Sequence, residues 1–569
     1  MKNFEETISE LMAQAAGGEP WEYAELIGVP PKSDMGDYAV PCFPLAKKLK
    51  NDPKRIAKDL AGKISLEFTP FSSVEAAGPY LNFRLDNARM AKEVLSSVME
   101  EGKDFGASDI GDGKRVIVDY SSPNIAKPFH IGHLRSTVIG AALYRIYEAA
   151  GYEPVGINHL GDWGTQFGMV MSAFDDHGDE SELATRPIAY SLDLYVEYNK
   201  KCEKDPEARE LAKQWFKRLE ADDGEAVSMW RMFRDYSLSK FENIYERLGI
   251  EFDHYTGESF YNKMMGAALE KARASGALEH SSDGAELIRL DDDGMPPFIL
   301  VKSDGATLYA TREIAAALYR EEEYGPDLML YVVGTPQELH FRQFKKSLEK
   351  MGLSDLAEKV VHVKFGHVHG MSTRRGEVVL LEDVLDEARQ KAAEKIEENV
   401  EAGKLDAEVD RKALADAVGI GAIIANDLKH RRERDITFEW EQAMQFDGET
   451  GPYLQYAYAR IKGIMRKSGR DISADVDFSE LSEPETRTVV RYIADYPRAI
   501  EKAVRENEPS LVTTYLFDLT KAWNLFYTHH RVIGSGPEKE PARLLLAECT
   551  GVVIRNALSL IGIPVLEKM

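Results

Sequence analysis

Residues 116–135 carry the pattern that most restricts how this chain can fold. An apolar run over 116–120 ends in a polar turn with two prolines, and a helix is predicted to begin at His130-Ile-Gly-His133. The free N–H groups and the dipole at a helix N-terminus favour phosphate, and a glycine there lets a flat group approach the backbone. The pattern therefore predicts a nucleotide site at a strand-to-helix corner.

The segments on either side of this corner alternate between strand and helix. Strands are predicted at 115–120 and 154–158, and between them an apolar stripe with helical spacing runs from about 130 to 150. A strand–helix–strand unit of this kind is typical of a parallel, doubly wound sheet.

The second half of that sheet is expected downstream of a charged helical region. It should resume near Phe298 and continue with strands at 328–333 and 360–364. Thr335-Pro-Gln-Glu338 has the residues of a capping box with proline at the first helical position, so a helix is predicted to follow.

The 569 residues are too many for one hydrophobic core, so several domains are expected. The predicted fold class is multidomain, with an α/β Rossmann-like catalytic domain, a small α+β N-terminal domain and an all-α C-terminal helix bundle. A helix at 53–61 and an alternating strand at 74–85 are predicted for the N-terminal domain. The predicted domains are 1–110 (N-terminal), 111–380 (catalytic, with a helical insertion at about 174–280), 381–440 (helical connector) and 441–569 (bundle).

Charge and cysteine content exclude several classes of protein. The net charge of −25 argues against a protein that coats nucleic acid non-specifically. Residues 441–569 hold 16 Lys+Arg against 18 Asp+Glu, so the acidic excess lies upstream and local RNA recognition stays open. The three cysteines form no CxxC pair, so no structural zinc is expected. No apolar run reaches about 18 residues and the first residues lack a signal peptide, so we expect a cytoplasmic protein without a membrane span.

Five stretches of the chain carry a more specific pattern. They are Ser121-Ser-Pro-Asn-Ile-Ala-Lys-Pro-Phe-His-Ile-Gly-His-Leu-Arg135, Leu160-Gly-Asp-Trp-Gly-Thr-Gln-Phe-Gly168, Thr307-Leu-Tyr-Ala-Thr-Arg-Glu-Ile-Ala315, Gln337-Glu-Leu-His-Phe-Arg-Gln343 and Gly451-Pro-Tyr-Leu-Gln-Tyr-Ala-Tyr-Ala-Arg460. The first contains the HIGH motif of class I aminoacyl-tRNA synthetases, and together the five resemble the arginyl-tRNA synthetase family. The resemblance implies ligation of L-arginine to tRNA(Arg) through an arginyl-adenylate, with ATP and Mg²⁺.

The side-chain pocket for arginine has a physical requirement. A guanidinium is planar, always charged and donates five hydrogen bonds, so it needs carboxylates in a matching geometry. The resemblance implies that the substrate contacts Asp119, Ser121, Asn124, Tyr309, Glu313 and Gln337. Glu313 stands where aspartate is more frequent in the family, which leaves its pairing with the guanidinium open.

The resemblance places ATP at the start of the predicted helix, where two imidazoles can donate hydrogen bonds to charge developing on phosphorus. The predicted catalytic residues are Lys127, His130, Gly132 and His133, and the predicted ATP-binding residues are Phe129, His130, Gly132, His133, Met371, Ser372 and Arg374. Residues 369–376 match the second class I motif, KMSKS, but Gly370 and Thr373 replace its lysines. Positive charge opposite the pyrophosphate is expected first from Lys127, with Arg374 and Arg375 as alternatives.

Aromatic and cationic residues are mixed in the C-terminal helices. RNA loops are recognised by stacking bases on aromatic rings and pairing phosphates with cations, although tyrosines at helical spacing are also ordinary core residues. The predicted tRNA-binding residues are Tyr453, Arg460, Trp523, Tyr527 and Arg531. The resemblance further implies that residues 1–110 touch the tRNA elbow, that arginine activation needs bound tRNA, and that the enzyme is a monomer.

Three other functions stay open. A class I synthetase for another amino acid is disfavoured by the carboxylates of Asp119 and Glu313. A smaller nucleotidyltransferase with an HxGH motif would not need the helical module at 441–569. A catalytically inactive RNA-binding relative would not need to keep Lys127 beside the two histidines.

Overall fold

The core of the catalytic domain is a four-stranded parallel sheet. A computed structural model describes residues 4–28, 30, 35–125, 127, 129–369, 373–374, 377–401 and 410–569. The strands lie in the order Val360–His362, Leu328–Tyr331, Arg115–Asp119 and Glu153–Ile157. In the strand Arg115–Asp119, called the central strand below, Val116, Ile117 and Val118 are apolar and fully buried, as is typical of a parallel strand covered on both faces.

The helix Ile131–Ala149, called the motif helix below, connects two of these strands. It begins beyond the carboxyl end of Arg115–Asp119 and returns the chain to Glu153–Ile157, which confirms the predicted strand–helix–strand unit. Asp119 and Tyr331 are paired at the carboxyl ends of the two central strands. Ligands of doubly wound sheets bind at this edge, so the fold places the predicted nucleotide site where such a sheet offers one.

Long helices separate the two halves of the sheet. Their bounds are Thr165–His177, Glu180–Thr185, Pro187–Lys204, Pro206–Glu220, Gly224–Leu248 and Met265–Ala274. A small antiparallel sheet of Leu278–His280, Glu286–Ile288 and Phe298–Val301 follows. The expectation that the parallel sheet resumes near Phe298 is therefore wrong. A short apolar strand does not reveal which sheet it joins, and this one pairs with its neighbour in sequence.

Three helices surround the strand Leu328–Tyr331. Tyr309–Tyr324, called the pocket helix below, precedes it, and Glu338–Lys350 and Ser354–Lys359 follow. The predicted capping box at Thr335 is wrong, because that residue lies in a 3₁₀ turn and its hydroxyl donates to the carbonyl of Phe365 at 2.9 Å. The hydroxyl thus connects the segments that follow two neighbouring strands, instead of capping the helix.

The N-terminal domain packs helices on a three-stranded antiparallel sheet. Its helices are Phe4–Ala16, Trp21–Ala24, Leu45–Leu49, Pro53–Ala61 and Asn87–Glu101, and its strands are Tyr38–Pro41, Phe71–Ala77 and Tyr80–Leu85. The helix at 53–61 is confirmed, with Asp52 as its N-cap. The single strand predicted at 74–85 is instead two paired strands, because Gly78 turns the chain with a φ of 61°.

The C-terminal third is helical, as predicted. Its helices are Leu381–Glu401, Arg411–Leu428, Trp440–Ala443, Gly451–Ser468, Pro484–Ala494, Tyr496–Glu506, Ser510–His529 and Lys539–Ile561. Among the helices of the described residues, only Lys539–Ile561 is long and apolar enough to cross a membrane. Of its most apolar window, 72% is buried inside the protein, so it forms the core of the bundle.

The N-terminal domain rests on this bundle. Arg487 pairs with the buried carboxylate of Asp37, and Arg498 pairs with Glu5. The side-chain amide of Asn556 donates to the carbonyl of Gly102 at 3.0 Å. These contacts join the two ends of the chain beside the catalytic domain.

Candidate active site

The motif helix begins with a cap made from its own two histidines. His130 is the N-cap residue in an extended conformation, and its Nδ1 accepts a hydrogen bond from the backbone N–H of Gly132 at 3.0 Å. In return, Nδ1 of His133 accepts the backbone N–H of His130 at 3.2 Å, and the two ring centroids lie 4.1 Å apart. This is the reciprocal geometry of a capping box, with imidazoles in place of a hydroxyl and a carboxylate.

The cap decides which nitrogen of each imidazole carries the proton. A backbone N–H only donates, so Nδ1 of both rings is unprotonated. Burial lowers the pKa of His133 to about 3 and also lowers the pKa of His130, so both rings are neutral near pH 7. A neutral imidazole whose Nδ1 accepts carries its proton on Nε2. The helix end therefore presents two Nε2–H donors without a full positive charge.

Gly132 and Phe129 support these rings. A Cβ atom at position 132 would lie 2.8 Å from Cε1 of His130, so glycine is needed for the cap ring to fold over the helix. Phe129 is buried, with its ring centroid 5.3 Å from that of His133 and 4.9 Å from that of Phe241. Predicted as an ATP contact, the Phe129 ring lies in the core and fixes the position of His133.

A cavity of about 500 Å³ opens beside the capped helix end. It is lined by the motif from His130 to His133, by Gly334 and Gln337 after the neighbouring strand, and by Phe365 and Gly366. Its volume lies within the range of small-molecule sites, about 300–1,000 Å³. With two donors and bare backbone at its wall, the cavity suits a nucleotide.

The chain leaves the central strand through a strained turn. Ser121 and Ser122 have φ values of 70° and 48°, in the left-handed region that residues other than glycine avoid. The Ser121 backbone N–H donates to Ser136 Oγ at 2.9 Å, and Thr137 and Tyr245 hold its hydroxyl at 2.8 and 2.7 Å. Predicted as an arginine contact, Ser121 already has its hydroxyl occupied by this network.

Three carboxylates and two guanidinium groups cluster near the end of this strand, and we call them the acidic pocket. Asp119 pairs with Arg320 at 2.7 Å, and Glu258 pairs with Arg312 at 3.3 Å. Glu313 accepts no hydrogen bond from any residue that the structure describes. Burial raises the pKa of Glu258 and of Glu313 to about 7 each, against the pull of the two arginines. When ionised, the pocket has one negative charge in excess.

The sequence does not predict Glu258, Arg312 or Arg320 as site residues. Glu258 reaches the pocket because its backbone N–H donates to Leu160 at 2.9 Å, inside the second of the five stretches. Two residues further into that stretch, buried Asp162 accepts from the Ser259 backbone and hydroxyl at 2.8 and 2.6 Å. A buried aspartate needs donors, but the sequence does not say which segment supplies them.

The other predicted arginine contacts approach from separate segments. Tyr309, the first residue of the pocket helix, is 51% exposed, and its ring centroid lies 4.9 Å from that of His340. Gln337 is exposed and lines the cavity beside the motif. Asn124 is half-buried and packs against Gly161, where a Cβ atom would lie 2.5 Å from its Oδ1. The backbone thus converges on one region, while the role of each side chain stays a prediction.

Lys127 lies within the described residues, whereas most of the second motif lies outside them. Lys127 is exposed and lies close enough to Glu258 to oppose the rise in the pKa of that carboxyl. Within the described ranges it forms no ion pair. Met371, Ser372 and Arg375 lie outside the described residues, and for Arg374 only the backbone pairing with Glu377 is described.

The segment that leads to the second motif is tied to the helical connector. Val368–His369 pairs in parallel with Ile436–Thr437, and Asp435 accepts the backbone N–H of His367 at 2.7 Å. We call residues 365–369 the stem. The stem is therefore held by residues that lie after the connector helices in sequence.

Arg135, on the second turn of the motif helix, holds the same junction from inside. Its Nη1 donates to the carbonyls of Gly366 and Arg434, both at 2.8 Å, and its Nε pairs with Asp427 at 3.2 Å. The side chains of Arg135 and Asp427 are 1% and 4% exposed. One buried guanidinium thus joins the motif helix, the stem and the connector.

The predicted tRNA-binding residues of the bundle divide by exposure. The guanidinium of Arg460 lies over the ring of Tyr527 at 4.4 Å, and both line a groove of about 890 Å³ with Arg531. Trp523 is fully buried in the core of the bundle, so its ring offers no surface for a base. Tyr453 is half-buried and its hydroxyl is held by Asn524 at 2.9 Å.

The groove, called the basic groove below, has a consistent charge. Its further cationic lining residues are Arg466, Lys467 and Lys568. No aspartate or glutamate side chain is among the described residues that line it. A positive groove with a partly exposed ring, here that of Tyr527, resembles the surfaces that bind single-stranded nucleic acid.

Family models match three parts of the chain. Residues 94–440 match "tRNA synthetases class I (R), catalytic domain", residues 454–569 match "DALR anticodon binding domain", and residues 2–85 match "Arginyl tRNA synthetase N terminal domain". The first alone covers more than half of the chain.

Relatives and solved structures agree with these matches. Proteins named arginine–tRNA ligase from Clostridium perfringens and Clostridium acetobutylicum are 46% and 44% identical, each over 100% of both chains. The arginyl-tRNA synthetase structures of Thermus thermophilus and Plasmodium falciparum both superpose with a TM-score of 0.81 at 24% identity, covering 99% and 100% of this chain and 100% of each structure. The two structures confirm the fold, including the parallel sheet and the helical C-terminal domain. The chain therefore belongs to the arginyl-tRNA synthetase family of class I aminoacyl-tRNA synthetases.

Proposed function

We propose that this chain catalyses the ATP-dependent ligation of L-arginine to its tRNA, with the acidic pocket binding arginine and the capped motif helix binding ATP. The observation that carries the proposal is the Glu313 carboxylate, which lies near Asp119 at the strand edge where the motif helix begins and accepts no hydrogen bond from the described residues. A carboxylate withdrawn from water without a partner needs a cation, and the substrate side chain is one.

Charge balance supports arginine as the amino acid. Among the described residues, the acidic pocket pairs two of its three carboxylates with protein guanidinium groups, so a substrate guanidinium supplies the charge partner of the third, Glu313. A planar fork of donors can reach two acids at once, which an ammonium group does less well. An apolar side chain would leave Glu313 buried and unpaired, and this cost provides selectivity.

The first chemical step is attack of the arginine carboxylate on the α-phosphorus of ATP. A bond forms from carboxylate oxygen to phosphorus, the bond to the pyrophosphate oxygen breaks, and negative charge builds on the phosphoryl oxygens. The Nε2–H groups of His130 and His133 are the donors for that charge, preset by the cap. Positioning of the two substrates supplies the rest, with no covalent enzyme intermediate.

The leaving pyrophosphate needs a cation, and Lys127 is the proposed one. It is exposed and forms no ion pair with any described residue, so its ammonium is available to phosphate. ATP enters as its Mg²⁺ complex, for which no protein ligand is proposed. The arginyl group then moves to the 2′-hydroxyl of the terminal adenosine, and AMP leaves.

Two surfaces are proposed to hold the tRNA. One is the basic groove of the bundle, with Arg460, Tyr527 and Arg531. The other is on the N-terminal domain, where the rings of Phe43 and Tyr80 form an exposed edge-on pair with centroids 5.8 Å apart. The proposed form is a cytoplasmic monomer, and light scattering with and without tRNA tests its size.

Replacement of Glu313 by glutamine tests the arginine assignment. Removing one partner of a buried charge pair costs about 2 kcal/mol or more, so the KM for arginine should rise by about thirtyfold or more. The KM for ATP should change much less, as measured by tRNA-dependent pyrophosphate exchange. Glu322→Gln makes the same change on an exposed face of the same helix and is the matched control.

Two outcomes contradict the proposal. Equal rises in both KM values would remove Glu313 from the arginine pocket. Faster exchange by the unchanged enzyme with any amino acid other than arginine would overturn the assigned substrate.

A further inference from the structure

Arg320 is a fully buried guanidinium in the acidic pocket. It lies on the pocket helix seven residues after Glu313, so the two side chains point in similar directions. Its Nη2 donates to Oδ2 of Asp119 at 2.7 Å. Its Nε and Nη1 are buried and meet no hydrogen-bond partner in the part of the chain that the structure describes. With no exposed surface, Arg320 is placed behind the pocket wall, where a ligand does not reach it.

Two aromatic rings hold the guanidinium in this position. Its central carbon lies 5.3 Å from the centroid of Tyr331 and 6.0 Å from that of Tyr261. Tyr331 is also the strand partner of Asp119, so the ring and the carboxylate project from neighbouring strand ends. A planar cation over an aromatic face is stabilised even where no further acceptor is available.

Asp119 is the carboxylate that Arg320 contacts. It is the last residue of the central strand, and the strained turn at Ser121 and Ser122 follows directly. Oδ1 of Asp119 accepts the hydroxyl of Ser122 at 3.0 Å, and Oδ2 accepts Arg320. Each oxygen has a second lone pair, so a carboxylate held on both sides still accepts further hydrogen bonds.

We infer that Arg320 is a positioning residue for arginine recognition, which fixes the Asp119 carboxylate and supplies positive charge beside the carboxylates of Asp119 and Glu313. The inference rests on the proposed assignment of Asp119 and Glu313 to the arginine pocket. Arg320 also opposes the rise in the pKa of Glu313 that burial causes. The neighbouring charge of Asp119 disfavours the ionised form of Glu313, and Arg320 offsets part of that effect.

A merely structural ion pair is the competing explanation. Buried pairs are weak contributors to stability, and replacing both partners together is often tolerated. The two explanations differ in what a double change does to arginine binding. A structural pair affects folding, whereas a positioning residue acts on arginine binding only through Asp119.

The test is a double-mutant cycle on the full-length enzyme with Asp119→Asn, Arg320→Gln and the double variant. The KM values for arginine and ATP are measured by tRNA-dependent pyrophosphate exchange, and the pH profile of kcat/KM for arginine is recorded. We expect Arg320→Gln to raise the arginine KM by about tenfold or more, the effect of one lost charge contact, with a much smaller change for ATP. We expect the double variant to be no worse than Asp119→Asn alone.

A second variant keeps the inference testable if Arg320→Gln fails to fold. Arg320→Lys retains the charge but not the fork or the stacked plane, so a smaller rise in the arginine KM is expected than with glutamine. The lysine variant should also leave the acid limb of the pH profile nearer to that of the unchanged enzyme, and it replaces glutamine in the cycle where needed.

The outcomes distinguish a failure of the arginine-pocket assignment from a failure of the inference about Arg320. If Asp119→Asn leaves the arginine KM unchanged, the pocket assignment itself fails. If that variant raises the KM but the effects of the two single changes multiply in the double variant, Arg320 does not act through Asp119 and the inference is overturned. An unchanged arginine KM in Arg320→Lys and Arg320→Gln, with only a lower unfolding temperature, would reduce Arg320 to a structural role.

Discussion

His130 caps the motif helix and is proposed to donate to the phosphate, and one substitution can separate these two roles. Its Nδ1 caps the motif helix by accepting the Gly132 N–H at 3.0 Å, while its Nε2–H is free to donate to the phosphate. Asparagine is a preferred N-cap residue whose Oδ1 can take over the first task, but it has no group at the position of Nε2. His130→Asn is therefore expected to keep the helix end and to lose catalysis.

The sizes of the two effects differ enough to be measured apart. Removing one preorganised donor to developing charge costs about 10²–10³ in rate, or about 2.7–4 kcal/mol. Loss of a cap costs about 0.5–2 kcal/mol, which is about two- to thirtyfold in local exchange protection. His130→Asn should show the first loss with little of the second, whereas His130→Ala should show both.

Two assays read these effects. Single-turnover formation of arginyl-adenylate with bound tRNA gives the rate, and amide hydrogen exchange of a peptide spanning 130–135 gives protection of the Gly132 N–H. Adenylate formation within about fivefold of the unchanged rate in His130→Asn would refute the assignment of Nε2–H as a phosphate donor. Loss of protection as large as that in His130→Ala would refute the cap.

Other perturbations give distinct readouts. Lys127→Ala should slow activation by about tenfold or more, measured by pyrophosphate exchange, and an unchanged rate would move the role to Arg374 or another cation. Because the pKa values of Glu258 and Glu313 lie at about 7, protonation below that pH should neutralise them, and kcat/KM for arginine should fall toward pH 5.5 in rate–pH profiles; a flat profile would contradict this. Arg460→Ala should weaken tRNA binding and lower its salt dependence by about one ion in titrations, with the arginine KM at saturating tRNA unchanged.

Much of the fold follows from local sequence. The central strand, the motif helix and the return strand were predictable because apolar runs, a glycine stop and helical spacing all agree over 115–158. Thr335 shows the limit: its residue pattern fits a capping box, yet its hydroxyl bonds to Phe365, thirty residues away. Local pattern does not reveal a partner from another strand.

The candidate site, like the fold, was predictable from the sequence only in part. Its motif residues are visible in sequence because they lie in a few specific stretches, and the structure brings Asp119 and Glu313 together. Glu258 and Arg320 are not visible, because they reach the site only through folding of the insertion and the pitch of the pocket helix. Tryptophan is a residue type that can stack on bases, but Trp523 is fully buried, which its sequence context does not reveal.

The junction at Arg135 has a mechanical consequence. The guanidinium fastens the motif helix to Gly366 of the stem and to Arg434 of the connector, and a two-residue strand pairing lies alongside. The motif helix, the stem and the connector therefore meet at one buried contact. Any rotation of the connector relative to the sheet must either break these bonds or carry the stem, and with it the root of the second motif, along the same path.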